Sequence, residues 1–411
     1  MAESALNVAT IRERRNWLIH VLYTRQEFTE CLALIEEQLR ECQGLCEYAL
    51  YVKGLIKRGQ GELQESLSLF QAATMISPQR ANNLKQVGRS LFLLGRHKAA
   101  VDVYNEAAQH FDDDWEILHH TGLCYTHLKL FTEAEEAFRR ANVNQRHDCT
   151  YLQLGRLYTL QERYEAAIEL YLEALEFSPE NTELLTTVGL LYLRIGENFK
   201  AFDYLGNSLT LDPRDPRAIL AAGSIIQDHQ DYDVALSKYR VAAAQIPNSA
   251  QLWNNVGMCF FGKKNFVAAI SSLRRALQLA PFEWIIAYNL GIIFLHAGQY
   301  ASAFHYLSAS INLKSDFASS YVYLAVWLSR VDDYDNACAA YEKALTMESD
   351  HVFELNYAIT LYNHKDYTAS RAHLAAFEKL WASVDEETKQ AERDTETAHQ
   401  QLIRELAKVP Q

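Results

Sequence analysis

The residue types best suited to acid–base or metal chemistry are the histidines, and 14 are present. They are dispersed, and His119-His120 is the one adjacent pair. A zinc site needs three or four imidazole, thiolate or carboxylate ligands converging on one point. Neither the flanking residues nor an HExxH spacing supplies them, so the pair reads as two polar residues lining a helix face. The 7 cysteines are Cys31, Cys42, Cys46, Cys124, Cys149, Cys259 and Cys338. None forms a CxxC, and Cys42 and Cys46, one helical turn apart, have no further ligands nearby. Thiols so placed are expected as packing or surface residues. Asp112-Asp113-Asp114 precedes Trp115 and suits a solvated turn or a helix N-terminus, where carboxylates meet unsatisfied N–H groups. Gly59-x-Gly61 suits a turn between helices. No GxSxG and no P-loop occurs. No catalytic residue, no cofactor and no metal is therefore expected.

The elements that must position these residues follow from an internal repeat. Cys31, Ser66, Ala100, Ala134, Ala167, Ala201, Ala235, Ala269, Ala303, Ala337 and Ser370 are spaced 33 to 35 residues apart. A second small residue stands 12 before most of them: Gly54, Gly88, Gly122, Gly155, Gly189, Gly223, Gly257, Gly291, Ala325 and Ala358, with Ile19 in the degenerate first frame. An aromatic residue or leucine usually stands three before the alanine, as at Phe131, Tyr164, Tyr232 and Phe266. Pro78, Pro179, Pro213, Pro247 and Pro281 close five frames. This is the tetratricopeptide pattern of about 34 residues, two antiparallel helices per unit. The small residues let helices A and B of one repeat approach closely, the aromatic residue fills the wedge to the next repeat, and proline ends the unit. The clearest copy runs Trp253-x-x-Val256-Gly257-x-x-Phe260, then Ala269, Ala276 and Pro281.

The predicted fold is all-α, a right-handed tetratricopeptide superhelix of about eleven helix pairs. The expected division is a short extension over 1–11, a solenoid over 12–380 and a capping helix in 381–411. Ser383-x-x-Glu386 reads as a capping box opening that last helix at about Val384. Scarce glycine (16) and proline (7) in 411 residues agree with helices joined by short loops.

A net charge of −13 disfavours nucleic acid, which calls for a basic stripe, and direct docking on anionic lipid. Lys263-Lys264 and Arg274-Arg275 are two short basic pairs that read as solvated surface. No apolar run approaches the ~18 residues of a membrane span. Met1 to Arg15 lacks the apolar core of a secretory signal, so with reduced cysteines an intracellular chain is expected.

A partner of such an array would lie along helices A. The positions two or three before each glycine slot are expected to face it. They give Lys85, Gln86, Asn254, Asn255, Tyr288, Asn289, Tyr323 and Asn356, with His119, His120 and Gln153. Asn255, Asn289 and Asn356 share one rung, and an amide both donates and accepts. The row suits the backbone of an extended peptide; the same amides could instead tie neighbouring helices together. Lys85 and Arg89 lack the asparagine partners of a carboxylate-gripping clamp.

Several stretches go beyond the repeat consensus: NWLIH (16–20), QGLCEYALYV (43–52), EFSPENTELLTTVGLLYLRIG (176–196) and LWNNVGMCFFGKKNFVAAISSLRRA (252–276). On these the chain resembles the fourth Bardet–Biedl syndrome protein family, over about residues 16 to 380, as a short form without a long polar C-terminal tail. The resemblance implies a non-catalytic subunit of the BBSome, a coat recruited to membranes by an Arf-like GTPase that moves membrane proteins into and out of cilia. It implies contacts with other BBSome subunits, including a second tetratricopeptide subunit and a small unstructured subunit threading the groove. It also implies links to centriolar satellites and dynactin, and placement in cytoplasm, cilium and basal body. Membrane contact would be indirect. Two other readings stay open on residues alone: a tetratricopeptide scaffold of a different assembly, such as a ubiquitin-ligase complex, and an enzyme with a cryptic site at His119-His120.

Overall fold

The computed structural model describes residues 13–110, 114–384, 389 and 392–408. The expected extension over 1–11, together with Asp112, Asp113 and Glu386, lies outside the described residues. Contacts divide the chain into two compact units, 1–204 and 205–411. Among the described residues there is no strand. Unit 1 holds α1 (Asn16–Thr24), α2 (Phe28–Glu41), α3 (Glu47–Gly59), α4 (Leu63–Ile76), α5 (Ala81–Leu93), α6 (His97–His110), α7 (Trp115–His127), α8 (Phe131–Asn144), α9 (Asp148–Leu160), α10 (Tyr164–Phe177) and α11 (Thr182–Arg194). The boundary falls in α12 (Asn198–Leu211). Unit 2 continues with α13 (Pro216–Asp228), α14 (Tyr232–Gln245), α15 (Ala250–Gly262), α16 (Phe266–Leu279), α17 (Trp284–His296), α18 (Tyr300–Leu313), α19 (Ala318–Arg330), α20 (Tyr334–Met347), α21 (His351–Asn363), α22 (Tyr367–Trp381) and α23 (Arg393–Leu406). Odd-numbered helices from α1 to α21 are the A helices, and their even-numbered followers are the B helices. The all-α tetratricopeptide fold, with eleven helix pairs among the described residues and one more helix, is as the spacing predicts.

Each slot of the repeat has a visible cause. The aromatic-or-leucine slot is the first residue of every B helix, and the frames that lack it begin at His97 and Asn198. Tyr232 lies against Gly262 of the next repeat, and Tyr334 lies 4.1 Å from His364, also one repeat on. The proline falls two residues past a B helix, as Pro281 does after Leu279. Asp215 caps α13 by accepting from the Arg217 N–H at 3.0 Å, with Pro216 at the first helical position. The turn from A to B uses one left-handed residue in every pair. Gly61, Gly95, Gly196 and Gly298 supply it in four, while residues such as Lys129 and Gln230 adopt it in the others.

The glycine slot has a partner that the spacing alone did not reveal: the side chain 16 residues later, on helix B. Phe70, Tyr104, Phe138 and Tyr171 lie across Gly54, Gly88, Gly122 and Gly155, so closely that a Cβ at Gly155 would come within 2.1 Å of the Tyr171 ring. In unit 2 Tyr239 covers Gly223, whereas Leu273 and Leu307 cover Gly257 and Gly291. These residues form a chain of core clusters along each unit. At the C-terminal end Leu402 and Leu406 of α23 bury against Leu355, Ala358, Leu374 and Phe377. The Ser383 hydroxyl donates back to the Leu380 carbonyl at 2.6 Å.

Candidate partner-binding face

Within each unit, A helices touch the A helices of neighbouring repeats: α5, α7 and α9 in unit 1, and α13, α15, α17, α19 and α21 in unit 2. Side chains on the A helices pointing away from the B helices therefore form one continuous strip per unit. The predicted residues lie on these strips and divide into three groups.

Tyr288 on α17, Tyr323 on α19 and Asn356 on α21 line a single cavity of about 600 Å³. Val322, Val326 and Phe353 supply apolar wall, and His296, Arg330 and Asp350 supply charge or hydrogen bonds. The Tyr288 and Tyr323 rings meet edge to face at 5.6 Å, and Phe317 braces Tyr288 at 5.2 Å. Burial holds both phenols above their ordinary range, so they are neutral donors at any physiological pH. Burial, helped by Arg330, lowers the pKa of His296, which favours the neutral ring. The cavity is thus ring-lined, with polar groups around it.

Asn254, Asn255 and Asn289 are engaged with one another. Asn289, 6% exposed, donates to Asn254 Oδ1 at 2.8 Å, and Asn254 donates to Asn255 Oδ1 at 3.3 Å. This chain of amides ties α15 to α17 and leaves part of each amide's bonding capacity over.

Models of the tetratricopeptide repeat match residues 87–146, 220–283, 265–316 and 318–351, and a TPR repeat model matches 155–196, together over half of the chain. The chain is 53% identical over 370 residues to BBSome complex member BBS4 of Bos taurus, covering 90% of this chain and 71% of that one. It is 55% identical to the Mus musculus protein of the same name, with the same coverage. The chain belongs to the BBS4 family. A solved tetratricopeptide repeat protein from Parabacteroides merdae shares the fold alone, with a TM-score of 0.50 and 18% identity over 60% of this chain and 98% of that one.

In this BBS4-family chain the third group, Lys85 and Gln86, sits in unit 1. Lys85 Nζ lies 2.5 Å from Asp114 and 2.7 Å from Glu116. Burial opposes its charge, but the bonds to those two carboxylates outweigh it and the net shift is upward. Gln86 Oε1 accepts from Arg58 Nη1 at 2.5 Å. Asp114, the described member of the aspartate run, also caps α7 through the Glu116 N–H. His119 is buried, with Nδ1 3.1 Å from Thr150 Oγ1, and His120 stacks on Tyr104. Burial pushes both imidazoles down to about 4, the neighbouring His120 adding to the effect on His119 and Arg89 to that on His120. They are neutral packing residues. Among the described residues no cluster of three His, Cys, Asp or Glu could hold a metal. The BBS4 family is one of tetratricopeptide scaffold subunits, and its members are not enzymes.

Arg58, His296, Val326 and Arg330 were missed from sequence. All lie within about one turn beyond the small slot on the same helix, so extending the count past Gly54, Gly291 and Ala325 would have found them.

Proposed function

We propose that this chain is a non-catalytic scaffold subunit of the BBSome and supports movement of membrane proteins to and from the cilium by joining other subunits. The BBS4 relatives carry the first part of this reading. The observation supporting the mode of contact is the cavity that gathers Tyr288, Tyr323 and Asn356 from three successive A helices. Its volume suits one or two side chains of an extended segment, and its rings offer large contact area at small entropic cost. The Asn356 amide and the tyrosine hydroxyls can meet main-chain N–H and C=O groups whatever the segment's sequence. The occupant in this reading is the small unstructured BBSome subunit, and the partially used amides of Asn254, Asn255 and Asn289 extend its path. Action at the cilium and basal body, and membrane contact only through the complex, follow from the same reading.

The test is co-purification from ciliated cells of a tagged chain carrying Tyr288→Ala, Tyr323→Ala and Asn356→Ala, beside a melting curve. The variant should lose the small subunit by tens-fold, since each lost hydrogen bond is worth about 0.5–1.5 kcal/mol and the rings more. Recovery of every BBSome subunit in wild-type proportion would defeat the reading. Retrieval of ubiquitin-ligase subunits by the wild-type chain would replace it.

A further inference from the structure

Beside the A-helix strip of unit 1, α3 carries a half-buried guanidinium that no carboxylate meets among the described residues. Arg58 stands in the last turn of α3, donates to Gln86 on α5 at 2.5 Å and places its Cζ 5.5 Å from the Phe70 ring centre. Arg89 follows Gln86 by three residues, on the same face of α5. Among the described residues neither arginine makes an ion pair. The nearby acids are committed, because Asp114 and Glu116 both hold Lys85. Burial lowers the pKa of Arg58, and the field of Arg89 lowers it further. Among the described residues the hydroxyl of fully buried Tyr104, within the field of both arginines, has no hydrogen-bond partner. Arg58 is half-buried and Arg89, one turn past Gln86, is exposed, so the like charge Arg89 adds beside Arg58 is a modest cost in the isolated chain, and a carboxylate arriving from outside reverses it.

We propose that Arg58 and Arg89, with Gln86 between them, are a docking point for an acidic side chain in an extended segment of another protein chain. Guanidinium groups match a carboxylate in shape and charge. A cavity of about 420 Å³, lined by Tyr48, Tyr51 and Asn82 among others, adjoins the point through Tyr51, which shares Gln86 with Arg58. It gives room for the residue next to the acid. A polyphosphate or an anionic membrane fits less well, since Asp114 and Glu116 lie one repeat along and the whole chain carries −13. This site is separate from the cavity of unit 2 and does not depend on it.

The test places a photoreactive benzoyl-phenylalanine at Asn82, on the same face, in the full chain within the purified complex, and sequences what it captures. The expected product is a protein segment with Asp or Glu beside the attachment point. Arg58→Glu with Arg89→Glu should lower retention of that partner at least about tenfold, and Lys in place of the partner's acid should restore it. Arg58→Gln alone should melt at or above the wild-type temperature, because no acid loses its partner. Four results overturn the proposal: no cross-link, a neutral or basic segment, a cross-link to lipid or one abolished by phosphatase, or a swapped pair that fails to rebind. A clear fall in melting temperature for Arg58→Gln does so too, by making the arginine an internal anchor. None of these outcomes bears on the Tyr288, Tyr323 and Asn356 variant, so the two sites fail or stand separately.

Discussion

Along α5, α7 and α9 of unit 1, the A-helix strip carries charges that mostly bind one another, whereas along α17, α19 and α21 of unit 2 equivalent positions carry tyrosine rings around a cavity. Lys85 is gripped by Asp114 and Glu116, and Arg156 by Glu183 at 3.1 Å. Tyr288 and Tyr323 instead meet each other and leave about 600 Å³ beside them. The same repeat thus gives two surfaces: one largely self-satisfied, with Arg58 and Arg89 as its exception, the other open to a bound segment. The cores differ in the same sense. Rings cover Gly54, Gly88, Gly122 and Gly155 of unit 1, while leucines cover Gly257 and Gly291 of unit 2. The repeat consensus fixes the backbone, and the residues it leaves free decide what each stretch can bind.

The largest expected effect breaks the open surface through its core. Ala269 is fully buried between α15 and α16, in the cluster that also supports α17. Ala269→Glu would bury an unpaired charge and should cost about 3–5 kcal/mol, measured by urea unfolding, with loss of partner binding. A wild-type unfolding curve would show the register to be misassigned. Next in size is an acid sensitivity of unit 1. The folded-state pKa of His119 and of His120 is about 4, below the ordinary 6.5. The unfolded chain therefore binds more protons between those values, and stability falls as pH is lowered through that window. The pair should contribute a few kcal/mol, on the order of one pKa unit per 1.4 kcal/mol before discounting. Melting at pH 7 and pH 5 should show His119→Gln/His120→Gln losing less stability than the wild type; parallel losses would contradict the burial argument. The smallest effect compares the two kinds of glycine cover. Gly155→Ala drives a methyl into the rigid Tyr171 ring, whose hydroxyl is also fixed on the Leu152 carbonyl at 3.2 Å. It should cost about 1–3 kcal/mol, and Gly257→Ala, against Leu273, less, since the leucine can move and alanine favours the helix. Equal melting shifts would erase that distinction.

The fold was legible because a 34-residue period repeats its small residues, its helix starts and its prolines in phase. The side chain 16 positions past the glycine was not, because phenylalanine, tyrosine and leucine alternate there without a consensus letter. The candidate face was legible in part, as a shared position on the A helices. Counting back from the glycine slot found Tyr288, Tyr323 and Asn356, which share the cavity. It also gave Asn254, Asn255 and Asn289, whose mutual hydrogen bonds depend on how α15 sits beside α17 and cannot be read from spacing. Lys85 looked available because Asp114 and Glu116, which hold it, lie a full repeat away in sequence. Arg58 lies four residues past Gly54, within reach of the same count, but that it meets Gln86 and, among the described residues, no acid shows only in three dimensions.

The central claim is that the ring-lined strip of unit 2 seats a partner's extended segment. Amide hydrogen exchange of the full chain, alone and bound to the small BBSome subunit, tests it most directly. Protection should increase along Trp284–His296, Ala318–Arg330 and His351–Asn363, with little change in Phe266–Leu279 and Tyr300–Leu313. Protection confined to those two B helices, with the three A helices unchanged, would contradict the account.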